Sequence, residues 1–350
     1  MLALLLVAVS ILPLWQTDRW WVRQWDYPRL QVAGLLVLVG AALPWAWGRR
    51  GSGFTALAGA MVVALAWQVS HFIAYLPPYP KEVPSAASCP AGQAITLLNA
   101  NVLQTNDRYG ALLKLVAETN PDLVLLLETG PRWASAMKPL SERYRYRLSE
   151  PIPSTYGMML FSRLPMAGEV RHLLQPAVPS IAVRVRLPGG QEVDFHALHP
   201  EPPWPGDNSG ERDAELISVG REVRQSGRAA IVMGDLNDVA WSRTSRLFKR
   251  VSGMGDPRVG RGFYPTFNAN YPLLRWPLDH LFVSPHFAVT GIDLEGDIGS
   301  DHLPILFRLC LKASAAQRKI APSAGPAVEA DANEELREGV VERSQENHGD

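Results

Sequence analysis

Gly299-Ser300-Asp301-His302 stands directly before the closing apolar run 303–309, and this short stretch decides how the rest of the chain is read. The same arrangement, a polar group where an apolar run ends, recurs upstream. Ile231-Val232-Met233 runs into Gly234-Asp235-Leu236-Asn237, and residues 123–127 run into Glu128. Ile95-Thr96-Leu97-Leu98 runs into Asn99 and Asn101, and residues 195–198 deliver His199 and Pro200. Carboxylates, amides and imidazoles at successive strand ends are how a strand scaffold aims polar groups at one site.

Outward from these motifs the pattern is mixed. Segments 95–98, 123–127, 158–161, 181–187, 193–198, 230–233, 280–283 and 305–309 read as strands. Segments 108–119 and 213–225 carry apolar residues at helical spacing, and Pro121 bars the first from continuing. Strands outnumber helices, and their order is not a simple βαβ alternation. The expected fold is α+β, a four-layer α/β/β/α sandwich of two packed mixed sheets flanked by helices, over residues 94–311.

The 350-residue chain is 47% hydrophobic and 19% charged, with a formal net charge of +0, and the apolar excess lies before Pro77. Runs 1–15, 30–47 and 54–76 predict about three transmembrane helices within a membrane segment, residues 1–76. The last two are long enough for a hydrocarbon core of about 30 Å, and the first is marginal. Trp15, Trp20, Trp21, Trp25 and Tyr27 in the first connection read as an interfacial aromatic belt. Gln68 and His71 share one helix face in the third run, and a contact between helices is the favoured reading. Residues 77–93, with Pro77-Pro78-Tyr79-Pro80 and Pro84, form a stiff linker. Residues 312–350 lose apolar periodicity and predict a disordered tail, with a transient helix over residues 334–343.

Glu128, Asp301 and Asn101 are hard oxygen donors, which suit Mg²⁺ or Mn²⁺ better than zinc or copper. Asn99 shares the strand face of Asn101 and is the alternative ligand. His199 and His302 can serve as general acid or as cationic stabilisers. Asp279 can hold His302 in one tautomer, Asp235 can orient and deprotonate water, and Asn237 can donate to a phosphate oxygen. The set describes metal-assisted phosphoester hydrolysis. Taken singly, Asp235 is a turn residue and Asp301 a cap; their neighbours Asn237 and His302 favour catalysis. Strand alternation turns His196 and His280 away from the site as structural residues. Trp204 and Trp241 suit a substrate groove or the edge of the core equally. The balanced charge offers no basic stripe for tight, unselective duplex binding.

The ordered set Asn101, Glu128, His199-Pro200, Gly234-Asp235-Leu236-Asn237, Asp279 and Ser300-Asp301-His302 resembles the endonuclease/exonuclease/phosphatase superfamily, with its deoxyribonuclease I-like fold. The resemblance covers roughly residues 94–311. It implies that Asn101, Glu128 and Asp301 are metal-site residues and that Asp235 and Asn237 activate water and bind phosphate. It further implies that His199 and His302 are the two catalytic histidines, with Asp279 the partner of His302. The membrane segment resembles that of membrane-attached bacterial members. Leu127 replaces a common Gln, residues 129–131 form no basic clamp, and Tyr156-Gly157-Met158 supplies no evident partner for His199.

The expected activity is therefore a membrane-anchored, divalent-metal-dependent phosphoesterase acting on a phosphodiester or phosphomonoester. The substrate is lipid-derived, a nucleotide or nucleic acid; the bilayer is the other partner, and no protein partner is evident. A nuclease acting on DNA or RNA is the alternative, and a non-catalytic binding protein retaining the fold is the alternative of another class. The expected location is the cell (inner) membrane, multi-pass. Arg49 and Arg50 argue for a cytoplasmic connection and a catalytic domain on the periplasmic, outer side, whereas Arg19, Arg23 and Arg29 count the other way. The family resemblance tips the reading outward. So does a pairing of Cys89, before the first catalytic strand, with Cys310, at the end of the last; two unrelated thiols is the equal alternative.

Overall fold

The structure is a computed structural model of the chain and describes residues 1–47, 51–203, 205, 208–312 and 324–349. The N-terminal helices are α1 (Leu2–Ile11), α2 (Trp20–Arg23), α3 (Arg29–Trp47) and α4 (Ser52–Phe72). The chain then runs β1 (Ala94–Asn101), α5 (Tyr109–Thr119), β2 (Leu123–Leu127), α6 (Pro131–Ala136), β3 (Tyr146–Glu150), β4 (Met158–Ser162) and β5 (Met166–His172). It continues through β6 (Pro179–Arg186), β7 (Glu192–Ala197), α7 (Gly210–Ser226), β8 (Ala230–Asp235) and α8 (Arg243–Ser252). It closes with β9 (Asp279–Val283), β10 (Phe287–Leu294), β11 (Ile305–Leu311) and α9 (Pro326–Gly349).

Strands that are apolar on both faces must be covered on both, and this sets the layering. One sheet has the order β10-β11-β1-β2-β4-β3, the other β5-β6-β7-β8-β9. Odd-numbered residues of the central strands, among them Ile95, Leu97, Leu125, Phe195, Ile231 and Leu281, fill the space between the sheets. Leu98, Ala100 and Leu126 face outward and pack with Leu112 of α5 and Trp133 of α6. Val232 and Phe282 face outward on the other side, against Leu216 of α7 and Phe248 of α8. The result is the four-layer sandwich. Each fully buried Leu or Phe in it contributes about 1.5–3 kcal/mol.

Both sheets are mixed. β1 pairs parallel with β2 and antiparallel with β11. β7 pairs parallel with β8, which pairs antiparallel with β9. Parallel strands end at the same edge, and an antiparallel neighbour starts there. The ends of β1, β2, β7 and β8 and the starts of β9 and β11 therefore gather at one end of the sandwich. Gly234 permits the close approach there: a Cβ on it would lie 1.8 Å from the Leu198 carbonyl oxygen, and its φ is 153°.

Cys89 and Cys310 form a disulfide, with Cα atoms 5.5 Å apart. The antiparallel pairing that sets Ala94 opposite Cys310 brings the linker onto the last strand.

The tail departs from the expectation of disorder. Residues 313–323 lie outside the described residues, but residues 326–349 form helix α9. Val328 and Ala332, with Leu336 beside them, pack on Ile217, Leu247 and Val251 of α7 and α8. Arg221 pairs with Glu329, and Arg243 with the buried Glu335. A stripe at every fourth position buries little apolar area and hides in a polar average.

Of the three runs expected to span, residues 52–75 form one helix long and apolar enough to cross a membrane. Residues 2–14 are a shorter apolar helix, and α3 meets the test only together with residues 20–26, from which it is bent by 69°. Gln68 joins the helices: it accepts from Arg29 at 3.0 Å and donates to Ser10 at 3.0 Å.

Candidate active site

The inter-sheet face changes character at the gathered end. Ile95 and Leu97 are followed on the same face of β1 by Asn99 and Asn101, and Ile231 and Met233 on β8 by Asp235. Val193, Phe195 and Ala197 lead to His199, while Leu281 and Val283 share the parity of Asp279. Five polar side chains thus enter the layer between the sheets by continuing an apolar face. Glu128 breaks parity, and the chain turns there through a left-handed residue, φ 59°.

All eight residues singled out in the sequence meet at this end. Asn101 Nδ2 donates to Glu128 Oε1 at 2.8 Å and to Asp235 Oδ2 at 3.1 Å. Asp235 lies opposite Asp279 in the β8–β9 register. His302 sits between the two carboxylates, with Nδ1 2.8 Å from Asp279 Oδ2 and Nε2 3.4 Å from Asp235 Oδ2. The backbone N–H of Asn237 donates to Asp235 Oδ1 at 2.9 Å, and the Asn237 side chain donates to the Pro200 carbonyl at 2.9 Å. Glu128, His199, Asn237, Asp301 and His302 line one cavity of about 620 Å³.

The electrostatics follow from burial and from this contact chain. Burial opposes the charge of His302, but Asp279 and Asp235 overcome it and raise the imidazole to about 10. Burial also works to raise Asp279, yet the His302 cation and its hydrogen bond hold that carboxyl below the usual range. Asp235 is pushed up to about 7 by burial, with Asp279 adding to the shift and His302 opposing it. Burial raises Glu128 as well. His199 is lowered to about 4 by burial and then by the His302 charge.

Two groupings can be weighed as a cation site. Asp235, Asp279 and His302 each offer a ligand atom, all within 4.8 Å of one another. Both nitrogens of His302 already face carboxylates, so a cation there would have to displace its ring protons. Glu128 and Asp301 line the cavity instead, and their oxygens, with the Asn101 amide, fit a hard cation such as Mg²⁺ or Mn²⁺. The half-buried carboxyl of Glu128, raised by desolvation and by Asp301, is the kind of group that a divalent cation compensates.

Several residues named in the sequence take roles that the sequence did not assign them. Asn99 does not reach the cation group; its Nδ2 donates to Asp279 Oδ1 at 2.8 Å, fixing the carboxylate that holds His302. Ser300 Oγ donates to the Asn101 carbonyl at 2.8 Å and accepts from the His302 N–H at 3.1 Å, which locks the 300–302 turn onto β1. The Tyr156 ring lies 6.0 Å from that of His199 between centroids, and among the described residues His199 Nδ1 is buried without a hydrogen-bond partner. Gln24, Trp25, Tyr27 and Pro28 of the N-terminal segment form part of the cavity wall; the aromatic-belt reading of Trp25 and Tyr27 carried no hint of this. His280 is structural, bonded to Arg258 and the Asp238 carbonyl. Trp241 is buried and donates to the Asp26 carbonyl at 2.8 Å, which makes it a core-edge residue. Trp204 lies outside the described residues.

The chain belongs to the endonuclease/exonuclease/phosphatase family, whose model matches residues 91–302. That family includes metal-dependent phosphodiesterases and nucleases. Solved structures share the fold at low identity. A family protein from Beutenbergia cavernae is 19% identical with a TM-score of 0.51, over 63% of this chain and 72% of that one. Truncated Caenorhabditis elegans TDP2 is 20% identical with a TM-score of 0.52, over 63% and 98%. The human Nocturnin catalytic domain is 16% identical with a TM-score of 0.51, over 64% and 96%. No curated protein matches the chain.

The two histidines should titrate in opposite directions in cation-free protein. An unfolded histidine titrates near 6.5. His302 binds its proton more tightly when folded, so its contribution to stability is complete below 6.5 and is lost as pH rises through about 10. His199 is held neutral to about 4, so its burial costs stability as pH falls from 6.5 toward 4. Imidazole NMR should find His302 protonated and His199 neutral at pH 7. A neutral His302 at that pH would contradict the carboxylate clamp.

Proposed function

We propose that this chain is a divalent-metal-dependent phosphoester hydrolase, acting on a phosphodiester or phosphomonoester and held at a membrane by its N-terminal helices. The observation that carries the proposal is the unbroken contact chain Glu128–Asn101–Asp235–His302–Asp279, beside a cavity also lined by His199 and Asp301. Glu128, Asp301 and Asn101 would hold Mg²⁺ or Mn²⁺, which supplies Lewis-acid polarisation of the phosphoryl group. Asp235, titrating near neutrality and oriented by the Asn237 N–H, takes the proton of the attacking water. His302, kept cationic by Asp279, stabilises the charge that grows on the phosphoryl oxygens. Neutral His199 offers Nδ1, unpartnered among the described residues, to a substrate oxygen. Asn237 holds the loop that presents Asp235.

The balance of the step is simple. The water oxygen bonds to phosphorus and the ester P–O bond breaks. The water proton passes to Asp235, and the departing oxygen leaves as an alcohol with a proton from bulk water. A nucleic-acid substrate is the second reading, and it draws support from the neighbouring Danio rerio TDP2 structure, which is complexed with a single-strand DNA product.

Purified full-length protein should hydrolyse bis(p-nitrophenyl) phosphate with Mg²⁺ or Mn²⁺ and lose that activity to a chelator. Removing a positioned base or charge stabiliser costs about 10²–10⁴ in rate, so Asp235→Asn and His302→Gln should each fall by that order. Undiminished turnover in both variants would defeat the assignment. Inertness together with an absence of cation binding would favour a non-catalytic binding protein.

The catalytic domain is proposed to lie on the outer, periplasmic face of the inner membrane, with the N-terminal helices passing it more than once. The Cys89–Cys310 disulfide supports an oxidising compartment. Of the three arginines that count against this orientation, Arg23 and Arg29 are buried, Arg23 in ion pairs with Asp213 and Asp238 and Arg29 against Asp26 and Gln68. Alkaline phosphatase fused to the C-terminus should be active, and a green fluorescent protein fusion dark. The reverse pair of results would place the domain in the cytoplasm.

A further inference from the structure

The catalytic cavity has two walls of different origin. One carries Glu128, His199, Asp301 and His302. The other is apolar and is built partly from outside the catalytic fold, by Trp25 and Tyr27 from the turn before α3, together with Leu274, Trp276 and Leu278 from the loop before β9. The N-terminal contribution is fixed in place. The Tyr27 hydroxyl donates to the Asn237 carbonyl at 2.6 Å, and its ring meets Trp276 edge-on at 6.1 Å. Gln31, on the first turn of α3, donates to the Leu273 carbonyl at 3.0 Å.

The outer rim of this wall is unusual for a surface in water. Leu273 is 88% exposed, Tyr271 60% and Leu274 48%. They cluster at one loop tip, and that tip is tied through Gln31 to the start of α3. Along α3, Leu35, Val37 and Leu38 are also exposed. An exposed apolar tip tied to an apolar helix is a surface that suits a bilayer. Leu274 belongs both to this exposed tip and to the cavity lining, where with Trp276 it stands opposite the groups proposed to act on phosphorus. A nucleic acid would need cations along such a wall, and the residues named on it are uncharged.

We propose that the substrate is a lipid of the bilayer in which the protein is held, bound with its phosphoester against Glu128, Asp301 and His302 and its hydrocarbon portion along Trp25, Leu274 and Trp276. This rests on the hydrolase reading above and narrows it to amphiphilic phosphoesters. The anchor then has two functions, holding the enzyme at its substrate and forming the pocket that recognises it. The chemistry is the hydrolysis already written, with the lipid's phosphoester as the bond cleaved.

The test uses full-length protein and four probes: bis(p-nitrophenyl) phosphate, dibutyroyl and dihexanoyl phosphatidylglycerol below their aggregation limits, and a single-stranded DNA oligonucleotide. Full burial of a methylene is worth about fourfold, so the four extra methylenes of the dihexanoyl lipid should raise kcat/KM at least about tenfold. In Trp25→Ser and Leu274→Ser that chain-length ratio should fall toward one. The ratio is internal to each preparation, so a partly unfolded variant cannot imitate the effect. Hydrolysis of the nitrophenyl ester with a flat chain-length ratio in the wild type would overturn the lipid proposal and leave the hydrolase reading intact. Faster cleavage of the oligonucleotide than of either lipid would overturn it in favour of nucleic acid. Inertness toward all four probes would overturn both readings.

Discussion

Two buried carboxylates face each other across the β8–β9 ladder, and the rest of the site depends on how they are neutralised. Asp235 and Asp279 are register partners and are almost wholly buried. Two like charges in that position are costly in a low-dielectric interior. The His302 imidazolium between them makes the pairing tolerable, and it is available only because β11 returns antiparallel beside β1. The 300–302 turn is held there by Ser300. Fold and chemistry meet in this ion triad: the sheet pairing sets the carboxylates, and the carboxylates set the charge of the histidine.

A second consequence concerns the metal. Because both nitrogens of His302 are committed to carboxylates, the triad is already satisfied as an ion cluster. The hard-oxygen group of Glu128 and Asp301 lies one hydrogen-bonded step away, through Asn101. That amide donates to both carboxylates and so joins the two halves of the site. On the proposed assignment, binding a cation and handling a proton fall to different groups, as they do in pairs of titratable groups in different environments.

Much of this was legible in the sequence for a simple reason. Period-two alternation carries an apolar face into Asn99, Asn101, His199 and Asp235 without any knowledge of the partner strands, and Asp301-His302 sits just before the last strand. The same alternation correctly turned His196 and His280 away. What the sequence hid was set by distant packing. Asn99 serves Asp279 because of a neighbour 180 positions away. Trp25 and Tyr27 look like a membrane belt in one dimension and become a cavity wall only when Arg23 docks against Asp213 and Asp238. Helix α9 was read only as a transient helix over residues 334–343, because its short apolar stripe disappears in a polar average. Buried ion clusters such as Arg23 with Asp213 and Asp238 specify geometry more than they add stability, and here they fix the N-terminal segment against the loop that bears Asp235 and Asn237.

The division between cation group and proton group is the central claim, and calorimetric Mn²⁺ titration of full-length protein tests it most directly. Loss of one ligand costs at least about tenfold in affinity, so Glu128→Gln should weaken Mn²⁺ binding by that much or more. His302→Gln, which removes a neighbouring positive charge and no ligand, should bind the ion at least as well as the wild type. Binding that survives Glu128→Gln and vanishes in His302→Gln would put the ion among Asp235, Asp279 and His302, and contradict the account.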